Sequence, residues 1–164
     1  MSYRMDWGAV GAQLPQLAKG FLFTVEITLT AYACALVLGL LVALCRLSPW
    51  RPLSILAFAY TQFFRAISIY IYIIWIYFGL PMALGINLSP FAASVLSITL
   101  LHSAYMSEIY RSAIVSVSAG QREAARSLGL GRLSVFLDVV LPQAMAVALP
   151  QLVIHSSMIV KDSS

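Results

Sequence analysis

The chain has 164 residues, of which 61% are apolar and only 10% charged, against roughly 45–50% and about 25% in an average soluble domain. That composition excludes a water-soluble globular domain and indicates a membrane protein. The net charge of +4 reflects only the loop bias described below and indicates no nucleic acid, and no cysteine-histidine cluster indicates a metal.

Residues 66–107 contain no Asp, Glu, Lys or Arg. A helix needs about 20 apolar residues to cross a bilayer core of about 30 Å, so this run alone is long enough for two crossings. Backbone polar groups in hydrocarbon must pair within their own segment, so the apolar runs are read as helices and Gly, Pro and polar clusters mark their ends. Four spans follow.

The first covers 19–45. Its apolar stretch exceeds the usual signal-peptide core of about 7–15 residues and a second span follows closely, so it is expected to stay in the mature protein. Ala31, Ala35, Gly39 and Ala43 recur at every fourth position, a small-residue stripe suited to close helix contact. Glu26 lies towards the outer end. Cys34 and Cys45 share the helix about 16 Å apart, beyond the roughly 7 Å reach of a disulfide, and are assigned to packing.

The second span, 52–80, stops at Gly79-Leu80-Pro81 and holds Arg65, the deepest charge. An arginine at a helix centre costs roughly 2.5–3.5 kcal/mol on insertion scales and therefore faces protein or water. The third, 90–110, follows Asn87-Leu88-Ser89-Pro90. Thr99, Ser103 and Ser107 form a hydroxyl stripe along it, with His102 beside them. Such a stripe either lines a polar path or bonds to helix carbonyls. Glu108 is expected to pair with Arg111 along the same helix. The fourth, 142–160, begins near Pro142, contains Pro150 and carries His155, which is expected to bond a neighbouring helix; Lys161-Asp162-Ser163-Ser164 follow.

Basic residues set the orientation, because Lys and Arg collect in cytoplasmic loops. Arg46 and Arg51 separate the first two spans, and Arg111, Arg122, Arg126 and Arg132 separate the last two. The connection 81–90 has none. The amino terminus is then outside, with Arg4 and Lys19 as a minor countercurrent, and the 111–141 loop is cytoplasmic.

Within that loop Ser118 and Gln121 fit a capping box, and Gly129 suits a left-handed helix stop. A helix of about ten residues is expected between them. Ala124, Ala125 and Leu128 form its apolar face, and Arg122, Glu123 and Arg126 its polar one. Such a helix either seats in a groove of another protein or lies on the membrane as a connector. The chain has no nucleotide site, because its only lysines, Lys19 and Lys161, follow Ala18 and Val160, so no Gly-Lys-Ser/Thr exists to cradle phosphates. Its two histidines lack the flanking motifs of a catalytic arrangement.

Glu123-Ala124-Ala125, then Gly129, then Val139-Val140-Leu141-Pro142 resemble, in type and spacing, the EAA motif of permease subunits in bacterial binding-protein-dependent ABC importers. Tyr77-Phe78-Gly79-Leu80-Pro81, Glu108-Ile109-Tyr110-Arg111, Gly120-Gln121 and Leu141-Pro142-Gln143 are similar to the polar amino acid branch, which handles histidine, glutamine, arginine and opines. The resemblance implies an all-α integral membrane protein, residues 1–164 forming a single type I ABC importer transmembrane domain in the inner membrane. It implies that Gly120, Glu123, Ala124, Ala125 and Gly129 couple to a separate ATP-binding subunit. ATP and magnesium would bind there, and this chain would carry no cofactor. A second permease subunit, the same or a sister, and an external solute-binding protein are the further partners besides membrane lipid. Arg65, Thr99, His102, Ser103, His155 and Lys161 are the candidates for the translocation path.

Three departures from the family pattern stand out. Arg65-Ala66-Ile67-Ser68-Ile69 replaces Arg-Gly-Thr-Pro-Leu and lacks the helix-bending Gly and Pro. Ile154, next to His155, replaces an Asn. The chain also stops where relatives continue into a further span, which is read as a truncation before a fifth helix that weakens assembly. The competing readings are a gradient-driven carrier, for which Glu26 is the one candidate intramembrane acid, and a non-transporting fragment.

Overall fold

The computed structural model describes the backbone of residues 7–163 and the side chains of residues 13–163. Arg4, used in the charge argument, and Ser164 lie outside the described residues. All regular structure among the described residues is helical.

Helix α1 runs Trp7–Leu47, taking Pro15 into its length and starting well before residue 19. Its small-residue stripe is a packing seam: Ala31, Ala35 and Ala43 are fully buried. At Gly39 a methyl group would lie 2.8 Å from Met106 Cβ and 3.0 Å from the Ser103 carbonyl oxygen. The seam faces α5, Pro90–Ser116, which begins with Ser89 accepting a hydrogen bond from the Ala92 N–H and Pro90 in the first turn. Cys34 departs from its assignment to packing, being exposed on the outer side of α1.

The stretch expected as one span, 52–80, is broken. Helix α2, Arg51–Ala66, meets the helical stretch Ile69–Leu84 at 102°. Ile67 and Ser68 between them are extended, with φ/ψ of −115°/142° and −67°/146°. No Gly or Pro makes this bend; tertiary contacts hold it. The Tyr72 hydroxyl donates to the Phe63 carbonyl at 3.0 Å, satisfying an acceptor in the last turn of α2. The Ser68 carbonyl accepts from the N–H groups of Ile71 and Tyr72. Ile69 and Tyr72 are themselves buried, so apolar burial holds the second arm in place.

Beyond the bend come α3, Ile69–Ile74, a π-helical stretch Trp75–Gly79, and α4, Leu80–Leu84, which ends on Gly85 at φ 69°. After α5 lie α6, Ala119–Ser127, and α7, Arg132–Ser134; a second π-helical stretch, Val135–Val140, then leads into α8, Leu141–Ser163. The 111–141 loop holds the expected helix as α6, and α8 starts at Leu141, within one residue of the expected 142, with α7 and the π stretch running into it. Both π stretches run into a Leu-Pro pair, Leu80-Pro81 and Leu141-Pro142. Proline lacks a backbone donor and crowds the carbonyl four residues back. The wider preceding turn absorbs that misfit without ending the helix.

Helix α5 is central, packed against α1, α8, α2 and α3. By length and composition, residues 13–47 and 132–163 are apolar enough to cross a membrane, and the bent pair gives a third crossing if counted as one. Helix α5 is the one whose polar side chains neighbours cover: Ser97, Thr99, His102, Ser103 and Ser107 are all buried on it.

Candidate functional site

Two regions collect the residues singled out by sequence. The first is α6. The Ser118 hydroxyl accepts from the Gln121 N–H at 3.4 Å, which is half of the expected capping box. The reciprocal half is absent, because the Gln121 side-chain oxygen accepts instead from Gln143 Nε2 at 2.7 Å. Gln143 also donates to the Val139 carbonyl at 2.9 Å, so one amide ties α6 to the start of α8.

At the other end Gly129 takes φ 81°. Its N–H donates to the Arg126 carbonyl at 2.9 Å and that of Leu130 to the Ala125 carbonyl at 3.3 Å. These two bonds form the Schellman stop, which a left-handed residue permits. Arg122 turns back to donate to the Val117 carbonyl at 2.7 Å, satisfying the open end of α5.

The expected apolar face of α6 is divided. Ala125 is buried against this chain, whereas Ala124 and Leu128 point outward with Gly120 and Glu123, Leu128 at 82% exposure. Leu133 on α7 is also strongly exposed. A helix held at both ends with apolar side chains turned to solvent can dock into a groove.

The second region is a cavity of about 490 Å³ between the α2–α3 bend and helices α5 and α8. It has the size of a small-molecule site. Ser68, His102, Tyr105, His155, Lys161 and Asp162 supply its polar lining. His102 Nδ1 lies 3.0 Å from His155 Nε2, and His102 Nε2 lies 3.0 Å from Asp162 Oδ2. The three side chains form one hydrogen-bonded chain across two helices. His102 is almost fully buried, while Asp162 keeps about a third of its side chain exposed. Arg65, at the end of α2, lies outside the cavity with its guanidinium carbon 5.0 Å from the centroid of the Tyr105 ring.

Of the candidate path residues, the structure gathers His102, His155 and Lys161 into this cavity and brings Arg65 against its aromatic wall. Thr99 and Ser103 are turned elsewhere. The Thr99 hydroxyl donates to the Ala31 carbonyl of α1 at 3.5 Å, and Ser103 bonds the Leu100 carbonyl and the Tyr60 hydroxyl. The hydroxyl stripe is thus used on helix carbonyls and a tyrosine. His155 bonds a neighbouring helix as expected, and Glu108 pairs with Arg111 as expected but also with Arg46. Glu26 is exposed on α1, away from the cavity. Tyr105 and Asp162 were missed as site residues. Only the fold reveals them, because their partners lie on other helices.

Comparison with known proteins gives a consistent result. The family model described as "Binding-protein-dependent transport system inner membrane component" matches residues 35–164. The arginine transport system permease protein ArtQ of Bacillus subtilis (strain 168) is 34% identical over 98% of this chain and 73% of its own length. The glutamate/aspartate import permease protein GltK of Escherichia coli O157:H7 is 32% identical over 99% of this chain and 75% of its own. A probable glutamine ABC transporter permease protein, GlnM of Bacillus subtilis (strain 168), is 39% identical over 88% of this chain and 67% of its own. Among solved structures, one described as an amino acid ABC transporter with histidines superposes with a TM-score of 0.90 at 32% identity, covering 98% of this chain and 75% of that one.

Proposed function

The chain belongs to the inner membrane components of binding-protein-dependent transport systems, and from that premise we propose that it is the permease subunit of an ATP-driven importer for polar amino acids or opine-like derivatives. The relatives whose names state a solute act on arginine, glutamate, aspartate or glutamine. That range supports the amino acid class and selects no member of it.

The observation that carries the coupling part of this reading is α6. A nine-residue helix is stopped by a Schellman turn, anchored to α5 by Arg122 and to α8 by Gln143, and presents Glu123, Ala124 and Leu128 outward. In our reading it seats in a groove of a separate ATP-binding subunit that holds the ATP and magnesium. Ala124 permits close approach, Gly129 makes the turn and Glu123 offers a carboxylate to a basic partner group.

In our reading the chain crosses four times, with the amino terminus outside, α6 in the cytoplasm and the α2–α3 bend within the second crossing. A solute-binding protein delivers the solute from outside. A second permease subunit completes the pathway, in which the cavity of His102, Tyr105, His155 and Asp162 takes the solute.

Co-purification with the cognate ATP-binding subunit tests the coupling. Wild-type chain captures that subunit and Glu123→Arg abolishes the capture. Equal capture by both would remove α6 as the coupling element.

A further inference from the structure

At the end of the bundle nearest α6, arginines from two helices converge on one carboxylate, with a ring from a third helix over one of them. Arg46, in the last turn of α1, donates to Glu108 Oε2, and its guanidinium carbon lies 5.4 Å from the centroid of the Phe58 ring. Arg111 donates to Glu108 Oε1, its Nε at 3.2 Å. One negative charge therefore serves two positive ones, leaving an excess of positive charge. A guanidinium has about five N–H donors. Arg46 spends one of them on Glu108 and Arg111 two, and neither has another acceptor among the described residues.

These arginines line a cavity of about 320 Å³, completed by Leu47, Ser54, Ile55 and Phe58. Ser54 is already committed, donating to the Arg46 carbonyl at 3.0 Å. Leu47, Ile55 and Phe58 are exposed, Ile55 at 64%. The cavity thus has a cationic floor with donors to spare and an apolar wall open to the outside. It sits where α1 ends and α2 begins, at the edge of the apolar stretch of both helices.

We propose that this cavity binds the phosphodiester headgroup of an anionic membrane lipid, with Arg46 and Arg111 donating to the phosphate and Leu47, Ile55 and Phe58 lying along the start of the acyl chains. The assignment rests on the orientation given above, which puts this end in the cytoplasmic leaflet, where anionic lipid attracts basic side chains. A free phosphate would satisfy the arginines but leave the apolar wall unused. The lipid satisfies both. A zwitterionic lipid brings its own cation and gains less from the excess positive charge.

The test is lipid retention by the purified full-length chain in mixed micelles of phosphatidylglycerol and phosphatidylcholine with matched acyl chains, read by native mass spectrometry. Wild type is expected to retain phosphatidylglycerol preferentially. Arg111→Gln should lower that retention about fivefold, the effect of one basic contact near a charged surface. Ile55→Glu, at an exposed wall position that does not threaten folding, should lower it similarly, and Arg126→Gln on α6 should not. Equal retention of the two lipids, or unchanged retention in both cavity variants, overturns the proposal. Displacement of phosphatidylglycerol by soluble glycerol phosphate at equal concentration would overturn the lipid assignment in favour of a free anion. Capture of the ATP-binding subunit in detergent is a separate readout. Lost lipid preference with intact capture counts against the cavity alone, and lost capture with intact preference counts against the coupling.

Discussion

His102 Nδ1 and His155 Nε2 lie 3.0 Å apart, and a hydrogen bond between two imidazole nitrogens requires that one of them carry no proton. On its other side His102 meets Asp162 at 3.0 Å, an acceptor when ionised, so Nε2 is the donor there. Removing His102 strands the buried His155, while the part-exposed Asp162 can turn to water. His102→Leu is expected to cost about 2 kcal/mol, the penalty for leaving buried polar groups unsatisfied. His155→Gln, whose amide can replace one bond, should cost less. Thermal unfolding in detergent checks the order, and a His102→Leu midpoint equal to wild type would show that the chain of bonds adds nothing to stability.

Gly39 is a second point of close contact. With Met106 Cβ at 2.8 Å from an added methyl and the Ser103 backbone at 3.0 Å, α1 and α5 must separate to admit Gly39→Ala. Overpacking of this kind costs about 1–3 kcal/mol. Gly20→Ala, where nothing lies within 4 Å, is the matched control and should if anything raise the midpoint slightly, through the better helix propensity of alanine. If the two variants melt alike, the seam is looser than described.

The α2–α3 bend depends on one hydroxyl more than on any local sequence signal. Tyr72→Phe removes the bond to the Phe63 carbonyl, a loss of about 0.5–1.5 kcal/mol. The two arms should then sample a wider range of angles. Spin labels at Leu56 and Met82, both strongly exposed, report this after Cys34 and Cys45 are replaced by serine. The distance distribution should broaden in Tyr72→Phe, and an unchanged width would assign the bend to burial of Ile69 and Tyr72 alone.

Gly129 holds φ 81°, where a side chain costs about 1–2 kcal/mol. Gly129→Ala should loosen the end of α6 and reduce capture of the ATP-binding subunit, leaving the melting of the bundle nearly unchanged. Gly131→Ala is the contrast, since Gly131 has φ −66° and open space around its α-carbon. Matching losses at both positions would mean that the left-handed turn is not what matters.

What could be read along the chain was whatever repeats or caps locally. The four-residue spacing of Ala31, Ala35, Gly39 and Ala43 announced a seam, and Ser89, Ser118 and Gly129 announced helix ends. The bend at Ile67 and Ser68 was hidden because neither residue is a helix breaker; its cause is a tyrosine and a buried surface. Pro142 marked the start of α8 to within a residue, but the helical turns leading into it were not legible, because a π stretch carries the backbone up to the proline. The His102–His155 pair spans 53 residues of sequence. No spacing rule reaches that far, and the same holds for Gln121 with Gln143.

Helix α5 carries the most buried polar side chains among the described helices. A segment of that kind is a poor candidate to partition into lipid unaided, since Ser103, Ser107 and His102 would meet hydrocarbon. Against α1 those serines meet Gly39, and against α8 the histidine meets its partner. If α5 crosses the bilayer, its entry during synthesis depends on α1 being there to receive it, and it becomes secure only when α8 has followed. The order of the helices along the chain is then also a schedule for biogenesis, with the helix that carries the most buried polar side chains admitted between its two partners.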